Sequence, residues 1–94
     1  MKSIFVTYHC KPGQRDAFYH AITENGIDGK SRAENGNSRY EYFYSLDDPD
    51  TLFLAEAWAD EESHAAHKAS DTNKLLQNLK AEFCIGSDVV RHVE

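Results

Sequence analysis

Two cysteines, two prolines, one methionine and one tryptophan are all that the 94 residues contain of those types. Cys10 and Cys84 belong to no CxxC pair, so the pattern offers no zinc ribbon and no thioredoxin-like site. Both read as small buried apolar side chains in a reducing compartment. No apolar run approaches the ~18 residues of a membrane span, so no membrane partner is expected. Met1 to His9 alternates in polarity and lacks the continuous apolar core and cleavage site of a signal peptide. A cytoplasmic location is therefore expected. Basic residues are few: ten Lys and Arg against sixteen Asp and Glu leave a net charge of −6. They form no stripe, so no nucleic-acid partner is expected. There is no GxGxxG and no haem-thiolate motif, which leaves cofactor binding without support. His64 and His67 are the only closely spaced histidines. A helix would hold them about 60° apart with no third ligand nearby, and no metal is expected.

What the chain does have is concentrated between Leu52 and His67. Leu52 to Trp58 alternates as a strand, with Leu52, Leu54, Glu56 and Trp58 on one face and Phe53, Ala55 and Ala57 on the other. Asp60 can cap a following helix, and Glu61 and Glu62 suit its positive end. On a helical wheel Ala65, Ala66 and Ala69 share a side that could approach a sheet. Glu61, His64 and Lys68 point away from it, and His67 falls at the margin. A carboxylate, an indole and an imidazole thus meet through one tight strand-to-helix connection.

The remainder forms a single domain over residues 1–94. Lys2 to Cys10 reads as strand one, with large side chains on both faces, which implies burial on both. Pro12 suits the opening of a helix that runs to about Asn25, with Ala17, Phe18, Ala21 and Ile22 buried and Gly26 as a left-handed cap. Residues 27–33 fit a short helix or an ordered loop. A turn over residues 34–37 leads to strand two, Ser38 to about Leu46, where Tyr40, Tyr42 and Tyr44 share one face. Residues 47–50 turn the chain into strand three, giving an antiparallel hairpin. Ser70 or Asp71 can cap a further helix with Leu75, Leu76, Leu79 and Phe83 apolar. Gly86 breaks it before a last strand from Ser87 to Val93. The order β-α-β-β-α-β is that of an α+β, ferredoxin-like fold with a four-stranded antiparallel sheet.

Several short motifs in this order resemble the antibiotic-biosynthesis-monooxygenase-like domains. They are Pro12-Gly13 after strand one, Glu34-x-Gly36-x-x-x-Tyr40 before strand two, Glu56-x-Trp58 on strand three, and His67 nine residues later. Asn35 stands where relatives usually carry proline. The region of residues 34–39 and the surroundings of His67 also resemble the branch that processes a phosphorylated quorum-sensing autoinducer. The resemblance implies a dimeric α+β barrel, in which two sheets pack face to face and a ligand cavity lies between sheet and helices. Haem-degrading members would require an asparagine, a tryptophan and a histidine where this chain has Val6, His67 and Gln77, so haem degradation is not implied.

Two kinds of chemistry suit these residues, beside a third, non-catalytic reading. A cofactor-independent monooxygenase of a phenol or hydroquinone needs a base near neutral pKa, an apolar pocket and donors to an oxyanion. His67 is then the candidate base, and Glu56 its orienting partner or a holder of a substrate hydroxyl. Trp58, Tyr40, Asn37 and Arg39 are candidates for contact with the small-molecule substrate or O₂. An isomerase of a phosphorylated dione could use the same base and carboxylate, with Lys30, Arg32 and Arg39 for the phosphate. A dimeric ligand-binding module without turnover is the third.

Overall fold

A computed structural model describes residues 1–93. β1 (Lys2–Cys10) is followed by α1 (Arg15–Glu24), α2 (Ile27–Arg32), β2 (Asn37–Tyr44) and β3 (Thr51–Trp58), then by α3 (Glu61–Lys68), α4 (Asp71–Phe83) and β4 (Cys84–Val93). The strands form one antiparallel sheet in the order β2-β3-β1-β4. This is the ferredoxin-like α+β arrangement, with each connecting helix doubled. No helix among the described residues is long and apolar enough to cross a membrane.

Alternation sorts the strands into two faces. Ile4, Val6 and Tyr8 of β1, Leu52 and Leu54 of β3, and Tyr40 of β2 are buried with Phe18, Ile22, Ile27 and Leu76 from the helices. The opposite face has no helical cover: Phe5, Phe43, Phe53 and Val90 are all exposed. The large side chains on both faces of β1 are therefore buried on one side only within a single chain.

Several boundaries depart from the sequence reading. α1 opens at Arg15 rather than at Pro12, because Gly13 turns with φ 75° and donates its N–H to Asp50 Oδ1 at 2.9 Å. Ala17 then faces solvent, and Phe18 and Ile22 alone are buried. Residues 27–32 resolve as a short helix that buries Ile27 and Ser31. β2 ends at Tyr44, which leaves Leu46 fully exposed. Gly86 breaks nothing. β4 begins at Cys84 and carries Gly86 inside it, opposite His9, next to a register shift.

The largest correction concerns α3. Its alanines Ala65, Ala66 and Ala69 are exposed, while His64 and His67 are buried. A buried methyl contributes only about 0.8 kcal/mol. Two imidazoles that lie tilted against Trp58, at 6.0 and 4.7 Å between ring centroids, offer more contact area and, for His67, carboxylate partners. The helix therefore turns its ring-bearing side to the sheet.

Candidate functional site

His67 owes its place to two caps and one glycine. Asp60 accepts a hydrogen bond from the Ser63 N–H at 2.8 Å and starts α3, and Ser70 accepts from Asn73 N–H at 3.1 Å and starts α4. The loop before β2 is tied to the α3 entrance, where Ala59 N–H donates to the Gly36 carbonyl at 2.7 Å. Gly36 has φ 83°, and a Cβ there would collide with the Ser63 side chain. Only glycine combines that backbone with that proximity. The close approach brings Glu34 over the helix.

Both oxygens of Glu34 lie 3.1 Å from His67 Nδ1. A carboxylate only accepts, so Nδ1 carries a hydrogen, and in the neutral ring the lone pair is then on Nε2. Nε2 lies 3.7 Å from Glu56 Oε1, too far for a hydrogen bond. Trp58 Nε1–H donates to that same oxygen at 3.1 Å. Glu56 is 7 % exposed, and burial raises its carboxyl pKa against the opposing pull of the Trp58 hydrogen bond and the His67 charge. The Tyr40 ring lies 5.8 Å from that of His67, and its hydroxyl, held up in pKa by burial, is 3.1 Å from the Tyr42 hydroxyl.

His67 and Glu56 line a cavity of about 240 Å³ between the sheet and α3–α4. The walls follow the periodicities of their elements: Ile4, Val6 and Tyr8 from β1, His64, His67 and Lys68 from α3, Asn73, Leu76, Gln77 and Lys80 from α4, and Ser87, Val89 and Arg91 from β4. His64 is buried on this wall rather than solvent-facing as the wheel suggests. Its Nδ1 has no hydrogen-bond partner, and burial first, then Lys2 and Lys68, lowers its pKa to about 4.

The candidate residues divide into three groups. His67 and Glu56 face the cavity together. Trp58 and Tyr40 pack behind His67 and do not line the cavity. Asn37 and Arg39 lie apart: Asn37 Nδ2 donates to the Arg39 carbonyl at 3.0 Å, and Arg39 pairs with Glu41 at 2.6 Å. Glu34 was legible only as part of the Glu34-x-Gly36 motif, with no role attached. The fold gives it one, as the partner of His67 Nδ1. Val6, His67 and Gln77, which stand at the haem-degrading positions, all line the cavity.

A family model described as antibiotic biosynthesis monooxygenase matches residues 1–78. The chain belongs to the antibiotic biosynthesis monooxygenase family. Among curated proteins, none matches it. Solved structures with this family's fold include a Nitrosomonas europaea protein whose name places it among the antibiotic biosynthesis monooxygenases. It is 25% identical with a TM-score of 0.89, and the match covers 100% of this chain and 98% of that one. A Chloroflexus aurantiacus protein named in the same way is 20% identical with a TM-score of 0.81, over 99% and 91% of the two chains. A Mycobacterium tuberculosis protein is 18% identical with a TM-score of 0.87, over 99% and 93%. At those lower identities the likeness is one of fold, and within this family the arrangement around His67 has to be read from its own geometry.

Proposed function

We propose that the protein is a cofactor-independent monooxygenase of a small phenol or hydroquinone, with His67 as its base. The observation that carries this reading is the carboxylate–imidazole pair: Glu34 holds Nδ1, and Nε2 is left basic at a cavity wall beside Glu56. A substrate hydroxyl oxygen about 2.8 Å from each group would bridge the gap between Nε2 and Glu56. Nε2 takes the hydroxyl proton, and Glu34 stabilises the resulting imidazolium. The electron-rich phenolate then reduces O₂ directly. A carbon–oxygen bond forms on the ring, the His67 proton goes to the distal oxygen, and loss of water leaves a quinone. One phenol and one O₂ become one quinone and one water, the ring supplying all four electrons. Val6, Ile4 and Leu76 give the apolar surroundings in which an anion gives up electrons readily.

The family membership and the monooxygenase names of its structural relatives support the reaction class. None of Lys30, Arg32 and Arg39, the cations expected to serve a phosphorylated dione, lines the cavity, whose cations are Lys68, Lys80 and Arg91. Arg32 donates to the Tyr40 carbonyl at 2.9 Å, Arg39 is paired, and Lys30 belongs to α2. An oxygen electrode decides the matter. Hydroquinones should drive O₂ uptake in one-to-one proportion with quinone formed, and conversion that proceeds equally well under nitrogen would defeat the reading.

The active form is proposed to be a homodimer built through the uncovered sheet face. Phe5, Phe43, Phe53 and Val90 lie exposed there on adjacent strands, an apolar patch that a second copy can cover. Light scattering at micromolar concentration should give about twice the 10.7 kDa chain mass. A clean monomer would remove this part of the proposal.

A further inference from the structure

The cavity beside His67 carries a charge opposite to that of the chain. Acids outnumber bases sixteen to ten overall. The cavity lining reverses this, with Lys68, Lys80 and Arg91 against the single carboxylate of Glu56. Among the described residues none of these three cations has an ion-pair or hydrogen-bond partner. Lys2, Arg15, Arg32, Arg39 and Lys74 all do. The sheet register sets the spacing: Ile4 pairs with Glu56 on one side and with Arg91 on the other. Glu56 and Arg91 therefore project from the same face two strand spacings apart, roughly 10 Å. Lys80 reaches the same wall from α4, one stripe with Asn73, Leu76 and Gln77. The positive wall already registers on the protein, since Lys68 helps keep the His64 ring uncharged.

We propose that Lys68, Lys80 and Arg91 receive the carboxylate of an aromatic acid whose hydroxyl lies between His67 and Glu56. The proposal rests on the reading above, in that the cavity is taken as the substrate site, and it narrows the substrate to a hydroxylated benzoate or arylalkanoate. A neutral hydroquinone would fill only the His67 end and leave three cations without a counter-charge. A carboxylated ring spans both ends, and its charge supplies the missing partner. Planar guanidinium suits a carboxylate in particular. The family match ends at residue 78, so it does not account for Lys80 or Arg91.

Trp58 is the only tryptophan, and its ring lies 4.7 Å from His67, so its fluorescence reports occupancy without any turnover. The probes are 4-hydroxybenzoate and its neutral isostere 4-hydroxybenzamide. The benzoate should bind about tenfold more tightly or better, and added salt should erode that advantage while sparing the benzamide. Replacing both Lys80 and Arg91 with glutamine should cut the benzoate-to-benzamide affinity ratio by about tenfold. Arg91→Lys alone should lose part of it, because an ammonium cannot make the two parallel bonds of a guanidinium. The ratio is insensitive to partial unfolding, because both probes see the same folded population. A ratio near one, a ratio indifferent to the double variant, or no binding of either probe at millimolar concentration would each overturn the proposal. Oxygen uptake is read separately with dihydroxybenzoates. Benzoate preference without any uptake would sink the monooxygenase reading and leave the anion site standing.

Discussion

His64 and His67 stand one turn apart on α3, both less than 5 % exposed, in surroundings of opposite charge. Around His67 are two carboxylates, Glu34 at 3.1 Å and Glu56 at 3.7 Å. Around His64 the neighbouring charges are mainly positive: Lys2 and Lys68 oppose its protonation, and Glu61 only partly offsets them. Burial is common to both and so cannot distinguish them. The difference teaches that the loop carrying Glu34, rather than depth in the fold, separates a partnered imidazole from an unpartnered one. His64 is held neutral, with an unpartnered Nδ1. His67 instead has its Nδ1 3.1 Å from both oxygens of Glu34.

Substitution of each histidine by alanine tests the contrast most severely. His67→Ala should lower turnover by roughly 10²–10⁴-fold, the range for loss of a general base. His64→Ala should cost far less, and an equal loss from both would erase the distinction in steady-state assays.

Leucine at the same two positions separates them by stability instead. His67→Leu strands Glu34 without its donor and should cost about 2 kcal/mol in urea unfolding, as for a lost hydrogen bond to a charged group. His64→Leu removes a buried polar atom that has no partner and should be near neutral. The reverse ranking would show that His64 makes the more important contacts.

The last effect lies in the acid limb of stability. Unfolded His64 takes up a proton near pH 6.5, whereas the folded ring resists until about pH 4. Between those values the unfolded chain binds more protons, so stability falls as pH drops through the window. His64→Leu should remove that part of the slope. A slope identical to that of the parent protein would mean that His64 is charged in the fold.

Much of this was legible in the chain. Alternation in β1 and β3 gives the strands and their faces, Asp60 is a cap in the sequence as in the fold, and of the two candidates Ser70 and Asp71 the fold uses Ser70. His67 and Glu56 could be named from the motif that joins them. The orientation of α3 could not. The wheel weighs side chains by polarity and cannot know that Glu34, 33 residues away, will supply a partner to a buried imidazole. The positive wall was equally hidden, because Lys68, Lys80 and Arg91 sit on three elements, and only the β1–β4 register and the pitch of α4 bring them together. Asn37 and Arg39 stand out in the sequence for their chemistry, a donor for oxygen and a cation for phosphate, but their side chains are taken up within β2, by the Arg39 carbonyl and by Glu41.

The contact at Gly36 has a mechanical consequence. Because the glycine abuts Ser63 and its carbonyl accepts from Ala59, the loop bearing Glu34 is tied at one point both to the helix bearing His67 and to the end of the strand bearing Glu56. A side chain at position 36 would push the loop off Ser63 and draw Glu34 away from His67 Nδ1, so one backbone position sets the alignment of carboxylate and imidazole.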